Sequence, residues 1–284
     1  MPKITLFLFA LLSFNCAIAQ QSDLKFDKDY YRCENKWVSL PLKQGDSIQT
    51  FGFVYLDRTA GFTINVGGTY SIKNNIFIAK PHEKTTNMIY RFSPGYSLLA
   101  ILPDYRLKQM KLPAQPDWLH IYREGENETS QLLRRGFIYN DIGASDLALD
   151  PLLKAYAKEP HFKELEFELS FAYNALEKPE RAVEVLQKAI KNDSKNYMFY
   201  RELGYSFVHL NKQDEAEKIY KKGIAMSDND FQKSEMAFNM AGSYYRSGNR
   251  KKFDEWAAVV KKYASKDSIY LNNLTAIEAD FNKK

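Results

Sequence analysis

The segment that decides the fold is residues 200–220, with the sequence YRELGYSFVHLNKQDEAEKIY. We predict that it forms a helix, a tight turn and a second helix. Gly204 is small enough to let the paired helices approach closely, and Phe207 fills the space beside it. A single hairpin of this kind cannot bury its own apolar face, so the hairpin predicts neighbours that stack on it.

The same pattern recurs with a period of about 34 residues. Ser170 occupies the slot of Gly204 one period earlier, and Gly136 occupies it two periods earlier. In all three units a large aromatic residue lies nine positions before an alanine, in the pairs Tyr139 and Ala148, Tyr173 and Ala182, and Phe207 and Ala216. Coincidence does not easily produce this spacing three times, so the period predicts stacked helical hairpins.

A fourth unit is present but irregular. Gly242 fills the small-residue slot later than the period requires, so about four residues are inserted around positions 227–231. Asp254 stands where an alanine is expected, which leaves the register of the second helix open. Residues 269–284 have the apolar spacing of an amphipathic helix, and we expect that helix to cap the array.

Over roughly residues 127–266 the chain resembles the tetratricopeptide-repeat (TPR) family. The resemblance implies an α-helical solenoid of about four repeats. Members of this family are mostly scaffolds that hold a peptide or a helix in a concave groove, which the first helix of each hairpin lines. The usual tryptophan of the aromatic slot is missing here, which is a common departure.

The resemblance also implies which side chains line the groove. They form three rows: the residue after each small-residue slot, the residue one helical turn earlier, and the residue after each aromatic slot. Aromatic members would anchor a partner and asparagines would bind its backbone amides. As an alternative, the protein's own N-terminal module or last helix would fill the stripe. The candidate residues are Leu133, Phe137, Asn140, Phe167, Phe171, Asn174, Arg201, Tyr205, Val208, Asn239 and Arg246.

The N-terminal module is predicted to be β-rich. In residues 51–56 three aromatic residues alternate with glycine, valine and leucine, as in a strand buried on both faces. In residues 62–66 apolar residues alternate with polar ones, as in a strand with one face in water. Gly67 and Gly68 indicate a bulge or a close backbone approach. Further strands are expected at 70–72, 76–79, 88–92 and 97–102, so the fold class is α+β: a small antiparallel β-rich domain followed by the helical solenoid.

The first residues have the features of a secretory signal. Lys3 precedes the apolar run 4–14, which is too short to span a membrane, and Ala17-Ile18-Ala19 fits a signal-peptidase site. We expect cleavage after Ala19 and a periplasmic, cell-surface or secreted location. Lipid attachment at Cys16 is the alternative. Cleavage would leave Cys33 without an internal disulfide partner.

These features predict five segments. Residues 1–19 are the signal peptide, 20–102 the β-rich domain, and 103–126 a proline-containing connector with a lead-in helix around Trp118. Residues 127–268 carry the repeats and 269–284 the capping helix. Removing Lys3 lowers the formal net charge from +5 to +4, which does not indicate nucleic acid as a partner. No later segment is apolar enough to cross a bilayer.

The sequence carries no catalytic or metal-binding pattern and indicates no cofactor. His161 and Glu164 share a helical face, but no second histidine completes a metal set. We therefore expect a protein without enzymatic activity, an exported adaptor that binds a protein or peptide partner. The alternative is an envelope enzyme or carbohydrate-binding protein, in which the β-rich domain is active and the repeats dock it.

Overall fold

A computed structural model describes residues 23–42, 48–83, 88–96 and 98–283. The chain divides into two compact units, Met1–Leu119 and His120–Lys284. The signal segment predicted for residues 1–19, with Cys16, lies outside the described residues. In the described ranges no helix combines the length and the apolar character needed to cross a membrane.

The first unit contains an antiparallel sheet, as predicted. Its strand order is β4-β3-β2-β1-β6, and β5 pairs with the part of β3 that β4 leaves open. A 3₁₀ turn at Tyr30–Cys33 precedes the sheet. The strands in the described ranges are β1 (Lys36–Ser39), β2 (Gln49–Asp57), β3 (Gly61–Lys73), β4 (Ile76–Pro81), β5 (Ile89–Arg91) and β6 (Ala100–Ile101).

The centre of the sheet is aromatic and is covered on both faces. Phe51, Phe53 and Tyr55 of β2 are buried, as the alternation predicts. Trp118 packs on this sheet, with ring centroids 5.8 Å from Phe53 and 5.1 Å from Tyr55. Trp118 is therefore part of the first unit, whereas the sequence suggested that it leads into the repeats.

Strand β3 differs from its prediction in two ways. The strands expected at 62–66 and 70–72 are one strand, which continues through the predicted bulge at Gly68, where φ is +146°. The prediction of a face in water is wrong for Thr63, which is only 2% exposed. Thr63 pairs with Tyr55 and so lies on the face that Trp118 covers.

The connector carries helix α1 (Asp104–Gln109), whose Arg106 is a buried charge. Its guanidinium donates to Asp23 Oδ1 at 2.8 Å and to Asn75 Oδ1 at 2.8 Å, and it stacks 4.1 Å from the ring centroid of Phe77. Gln109 accepts the backbone N–H of Phe77 on edge strand β4, so this edge donor is not left open. Arg106 thus ties three separate segments of the first unit together.

The second unit is an array of helical hairpins, which confirms the predicted solenoid. A short helix α2 (Leu119–Arg123) precedes it. In each hairpin a first and a second helix pack together, and each first helix contacts the next one. The hairpins are α3 (Thr129–Asp141) with α4 (Ser145–Lys158), α5 (Leu165–Ala175) with α6 (Pro179–Asn192), α7 (Tyr197–His209) with α8 (Gln213–Met226), and α9 (Asp230–Arg246) with α10 (Arg250–Tyr263).

The small-residue slots act as expected in two of the hairpins. A Cβ atom on Gly136 would lie 2.3 Å from Leu152, and one on Gly204 would lie 2.4 Å from the ring of Tyr220. These distances are far below van der Waals contact, so only glycine lets these helix pairs approach so closely.

The inserted residues of the fourth unit lengthen a helix. Helix α7 begins at Tyr197, about two turns before Gly204, whereas α9 begins at Asp230, about three turns before Gly242. The insertion therefore adds about one helical turn at the start of α9. Its partner α10 is complete, with Asp254 exposed and Phe253 buried. The predicted last helix, α11 (Ile269–Phe281), packs on α9 and α10.

Candidate partner-binding face

The candidate site lies on the first helices of the hairpins, α3, α5, α7 and α9, and we call this surface the first-helix face. The row after the small-residue slots contains Phe137, which is 40% exposed, and the half-buried Phe171 and Tyr205. The fourth member of that row, Ser243, is buried, and Gln213 Nε2 donates to its hydroxyl at 3.0 Å. The aromatic row therefore ends at Tyr205.

Four of the candidate residues line one small cavity between α3 and α5. The cavity has a volume of about 160 Å³, and the rings of Phe167 and Phe171 lie 6.5 Å apart on its wall. Two acidic residues outside the three predicted rows also line it. The lining residues are Phe137, Asn140, Asp141, Phe167, Glu168 and Phe171.

The aromatic surface continues onto α7. The rings of Tyr205 and His209 lie 4.3 Å apart, and His209 is a further residue that the candidate set lacked. Burial raises the pKa of Tyr205. Burial, and then the positive charge of Arg246, lowers the pKa of His209. Arg246 is exposed, so the last turns of α7 and α9 present an aromatic pair beside a cation.

Asn140 and Asn174 hold neighbouring repeats together. The side-chain amide of Asn140 donates to Glu168 at its carbonyl (3.0 Å) and at Oε2 (2.8 Å). One repeat later, Asn174 donates to the carbonyl and Oε2 of Glu202 at 3.3 and 3.0 Å. Both asparagines are buried. Their N–H groups are thus used inside the array, which corrects the expectation that they bind a partner's backbone.

Arg201 is also engaged within the array rather than open to a partner. Its guanidinium pairs with Glu202 at 2.9 Å and with Glu235 at 3.6 Å, and it donates to Gln232. It also lies 5.1 Å from the ring centroid of Phe167. Only 12% of its side chain is exposed. The charge of Arg201 is therefore neutralised within the array.

The other candidates occupy varied positions on this face. Leu133 and Asn239 are half-buried, and Val208 is buried at 6% exposure, so it fits packing between helices better than contact with a partner. Glu168 and Glu202 were missed although they are one repeat period apart, as Asn140 and Asn174 are. That shared period was the signal in the sequence that could have found both pairs.

The first unit has a cleft of its own, of about 480 Å³. Its described lining is mainly apolar, with residues such as Ile64 and Tyr90, and it includes Arg91 but no carboxylate.

In the second unit, His161 pairs with the buried Glu166 at 2.8 Å instead of with Glu164. The described residues contain no group of His, Cys, Asp and Glu side chains that could hold a metal ion.

Comparisons with known proteins bear on the second unit. Residues 167–196 match the tetratricopeptide repeat family. A thermophilic TPR protein of Thermus thermophilus is 20% identical, with 57% of this chain and 87% of that chain covered and a TM-score of 0.49. MamA is 20% identical, with coverages of 59% and 88% and a TM-score of 0.43. At these scores neither protein informs on a partner. No curated protein sequence matches this chain.

Proposed function

The second unit of this chain is a tetratricopeptide-repeat array, and on that premise we propose that the protein is exported and binds a segment of a protein partner on its first-helix face. The observation that carries the proposal is the run of aromatic side chains from Phe137 through Phe171 to Tyr205, at one slot of three successive repeats. Aromatic residues that share a surface are the usual anchors of protein interfaces.

The described second unit does not cover this aromatic run itself. Helix α11 packs on α9 and α10, at the far end of the array from α3. Phe137 keeps 40% of its surface exposed beside the cavity that it shares with Phe171. A face on which both rings remain accessible favours an external segment over the last helix of the protein.

A double variant tests this role of the first-helix face. Peptides are selected from a random display library on the mature chain, and their affinity for Phe171→Ala/Tyr205→Ala is measured by titration calorimetry. We expect a loss of about 2 kcal/mol or more, typical of anchor residues, with an unchanged Tm. Leu153→Ala is the matched control, because Leu153 is 42% exposed on a second helix.

Other outcomes separate the alternatives. A lower Tm with unchanged peptide affinity would mean that the protein's own chain covers the face. If neither quantity changes, the first-helix face is not the working surface. If the double variant instead loses affinity at an unchanged Tm, affinity capture from an envelope extract of the native host identifies the partner. Wild type and the double variant are used side by side, and mass spectrometry identifies the proteins that only wild type retains.

Export has a separate test. The apolar run that starts after Lys3 and ends before Ala17-Ile18-Ala19 supports a cleaved signal. N-terminal sequencing of the protein from its native host should give Gln20 as the first residue. An intact Met1 would contradict export by this route, and a lipid on Cys16 would favour the anchored alternative.

A further inference from the structure

The cavity between α3 and α5 offers aromatic surfaces and hydrogen-bond acceptors, but its described lining has no side-chain donor that is still available. Both bonds of the Asn140 amide go to Glu168. The Oδ1 atom of Asn140 is buried and has no donor within the described structure. The other polar lining groups are the carboxylates of Asp141 and Glu168. These two carboxylates are the acceptors that a ligand in the cavity can reach, so a ligand that binds them must bring donors.

The carboxylates at the cavity lack a cation in contact with them. Neither Asp141 nor Glu168 forms an ion pair with another described residue, and Glu168 is only 8% exposed. Burial raises the pKa of Glu168, which its hydrogen bond from Asn140 partly offsets. Arg201, a buried cation of the neighbouring repeat, is held by Glu202 and Glu235. No ion pair within the described array neutralises these carboxylates, although the nearby positive charge of Arg201 also acts to lower the pKa of Glu168.

The aromatic rings around the cavity already interact with cations. Arg201 lies 5.1 Å from the ring centroid of Phe167, and Arg134 lies 5.4 Å from that of Phe137. Attraction between a cation and an aromatic face is strengthened when water is excluded. A long aliphatic cation can bury its stem on such rings and keep its charged head at the carboxylates.

We propose that this cavity binds a lysine side chain of the partner, with the stem against Phe137, Phe167 and Phe171 and the ammonium at Asp141 and Glu168. The inference rests on the proposed function, since it names the chemistry of the segment held on the first-helix face. An acidic segment would instead meet two carboxylates of its own sign, which disfavours it.

The test uses small probes on the full mature chain. N-acetyl-lysine methylamide is titrated while NMR follows the ring signals of Phe137, Phe167 and Phe171 and the side-chain amide of Asn140. We expect saturable shifts at these residues. The norleucine analogue has the same stem without the charge, and it should bind at least about tenfold more weakly.

Variants assign the effect to the carboxylates. Glu168→Gln keeps an acceptor for Asn140 but removes the charge, and we expect about tenfold weaker binding of the lysine probe with the norleucine probe unchanged. Asp150→Asn is the charge-matched control, because Asp150 is exposed on α4 and should leave both probes unaffected.

Three results would overturn the proposal: equal binding of the lysine and norleucine probes, no shift at the three rings up to the solubility limit, or an unchanged affinity in Glu168→Gln.

The failure of the proposed function has a different signature. If library peptides bind the first-helix face without needing a lysine, the function stands and this inference is wrong. If the library yields no binder on that face, the function itself is wrong.

Discussion

Ser206 Oγ donates a 2.8 Å hydrogen bond to Oδ1 of Asn174, a bond that one repeat earlier is missing from the described structure. The residue one repeat period before Ser206 is Ala172, and the buried Oδ1 of Asn140 has no described donor. Both asparagines donate in the same way to the glutamate of the following repeat. Two neighbouring junctions therefore differ by one hydroxyl group, which makes each a reference for the other.

Adding that hydroxyl should stabilise the array. In Ala172→Ser the new Oγ would satisfy Asn140 Oδ1, and we expect the free energy of unfolding to rise by about 1 kcal/mol. Ala172 and Ser206 are both completely buried, so the new side chain enters an environment that accepts serine one repeat later. Urea denaturation followed by circular dichroism measures the change. Ala175→Ser at the exposed end of α5 is the control, with an expected change within about 0.5 kcal/mol.

The reverse change should destabilise the next junction. Ser206→Ala leaves Asn174 Oδ1 buried without its hydroxyl donor, at a cost of about 1–2 kcal/mol. If Ala172→Ser lowers the midpoint of unfolding instead, the hydroxyl does not reach Asn140. The difference between the two junctions would then come from backbone spacing.

Glu217 makes the stability of the last two hairpins depend on pH. Burial alone raises its pKa, but hydrogen bonds from Lys221, Tyr244 and Lys252 outweigh burial and lower the pKa to about 2. A carboxyl group with a lowered pKa in the folded state stabilises the fold above its ordinary pKa near 4.5. That contribution should be lost as the pH falls from about 5 towards 2.

A comparison with Glu217→Gln isolates this group from the other carboxylates. At pH 7 we expect the variant to be less stable than wild type by about 2 kcal/mol, and the gap should close as the pH approaches 2. Urea denaturation of both proteins at each pH gives the gap directly. A gap that stays constant from neutral pH down to the acid limit would show that the charge of Glu217 contributes nothing.

The repeat half was the more predictable part of this fold, for a physical reason. A stacked hairpin imposes the same packing demand once in every repeat, so Gly136 and Gly204 mark the same close approach of two helices. The sheet has no such repetition. The buried Thr63 pairs with Tyr55, on which Trp118 packs, and alternation within one strand cannot reveal cover that comes from beyond the strands.

The candidate face was predictable in position but not in role. Phe137, Phe167 and Phe171 were placed on the face by their slots, and they line one cavity. The engagement of Arg201 by Glu235 and Gln232 was not foreseeable, because both partners lie near the start of α9, where the insertion adds a helical turn. The slot of a residue in the repeat predicts the face on which its side chain lies. Contacts with the neighbouring repeat determine whether that side chain is accessible to a partner.

The buried Arg106 predicts a strong dependence of the first unit on Asp23. Arg106 is 2% exposed, and Asp23 is its ion-pair partner in the described ranges. Asp23→Asn would leave the buried cation without that charge. We expect a loss of about 2–3 kcal/mol, below the full cost for a buried pair because Asp23 is 39% exposed.

Thermal unfolding of the mature chain, followed by the fluorescence of its tryptophans, checks the role of Asp23. The control is Asp150→Asn, which breaks an exposed pair with Lys154 and should cost less than about 0.5 kcal/mol. Equal effects of the two variants would mean that the amide of asparagine and the bonds to Asn75 suffice for Arg106.

The glycines of the third and fourth hairpins should respond in opposite ways to alanine. A Cβ at position 204 would lie 2.4 Å from the ring of the completely buried Tyr220, so Gly204→Ala forces α7 and α8 apart and should cost about 1–3 kcal/mol. At position 242 the nearest atom is the guanidinium end of Arg246, at 3.5 Å. Gly242→Ala gains helix propensity without a clash and should stabilise α9 by about 0.5–1 kcal/mol.

The two variants serve as controls for each other, because they make the same chemical change at the same slot of the repeat. Urea denaturation of both variants gives the change in the free energy of unfolding for each. Because both gain the same helix propensity, the difference between the two changes measures the cost of losing the close approach at position 204. Opposite signs would show that the fourth hairpin, with its inserted turn, no longer needs a glycine at this slot. A loss of stability in Gly242→Ala comparable with that in Gly204→Ala would instead mean that α10 approaches position 242 more closely than the structure shows, since no described atom of α10 lies within 4 Å of that Cβ.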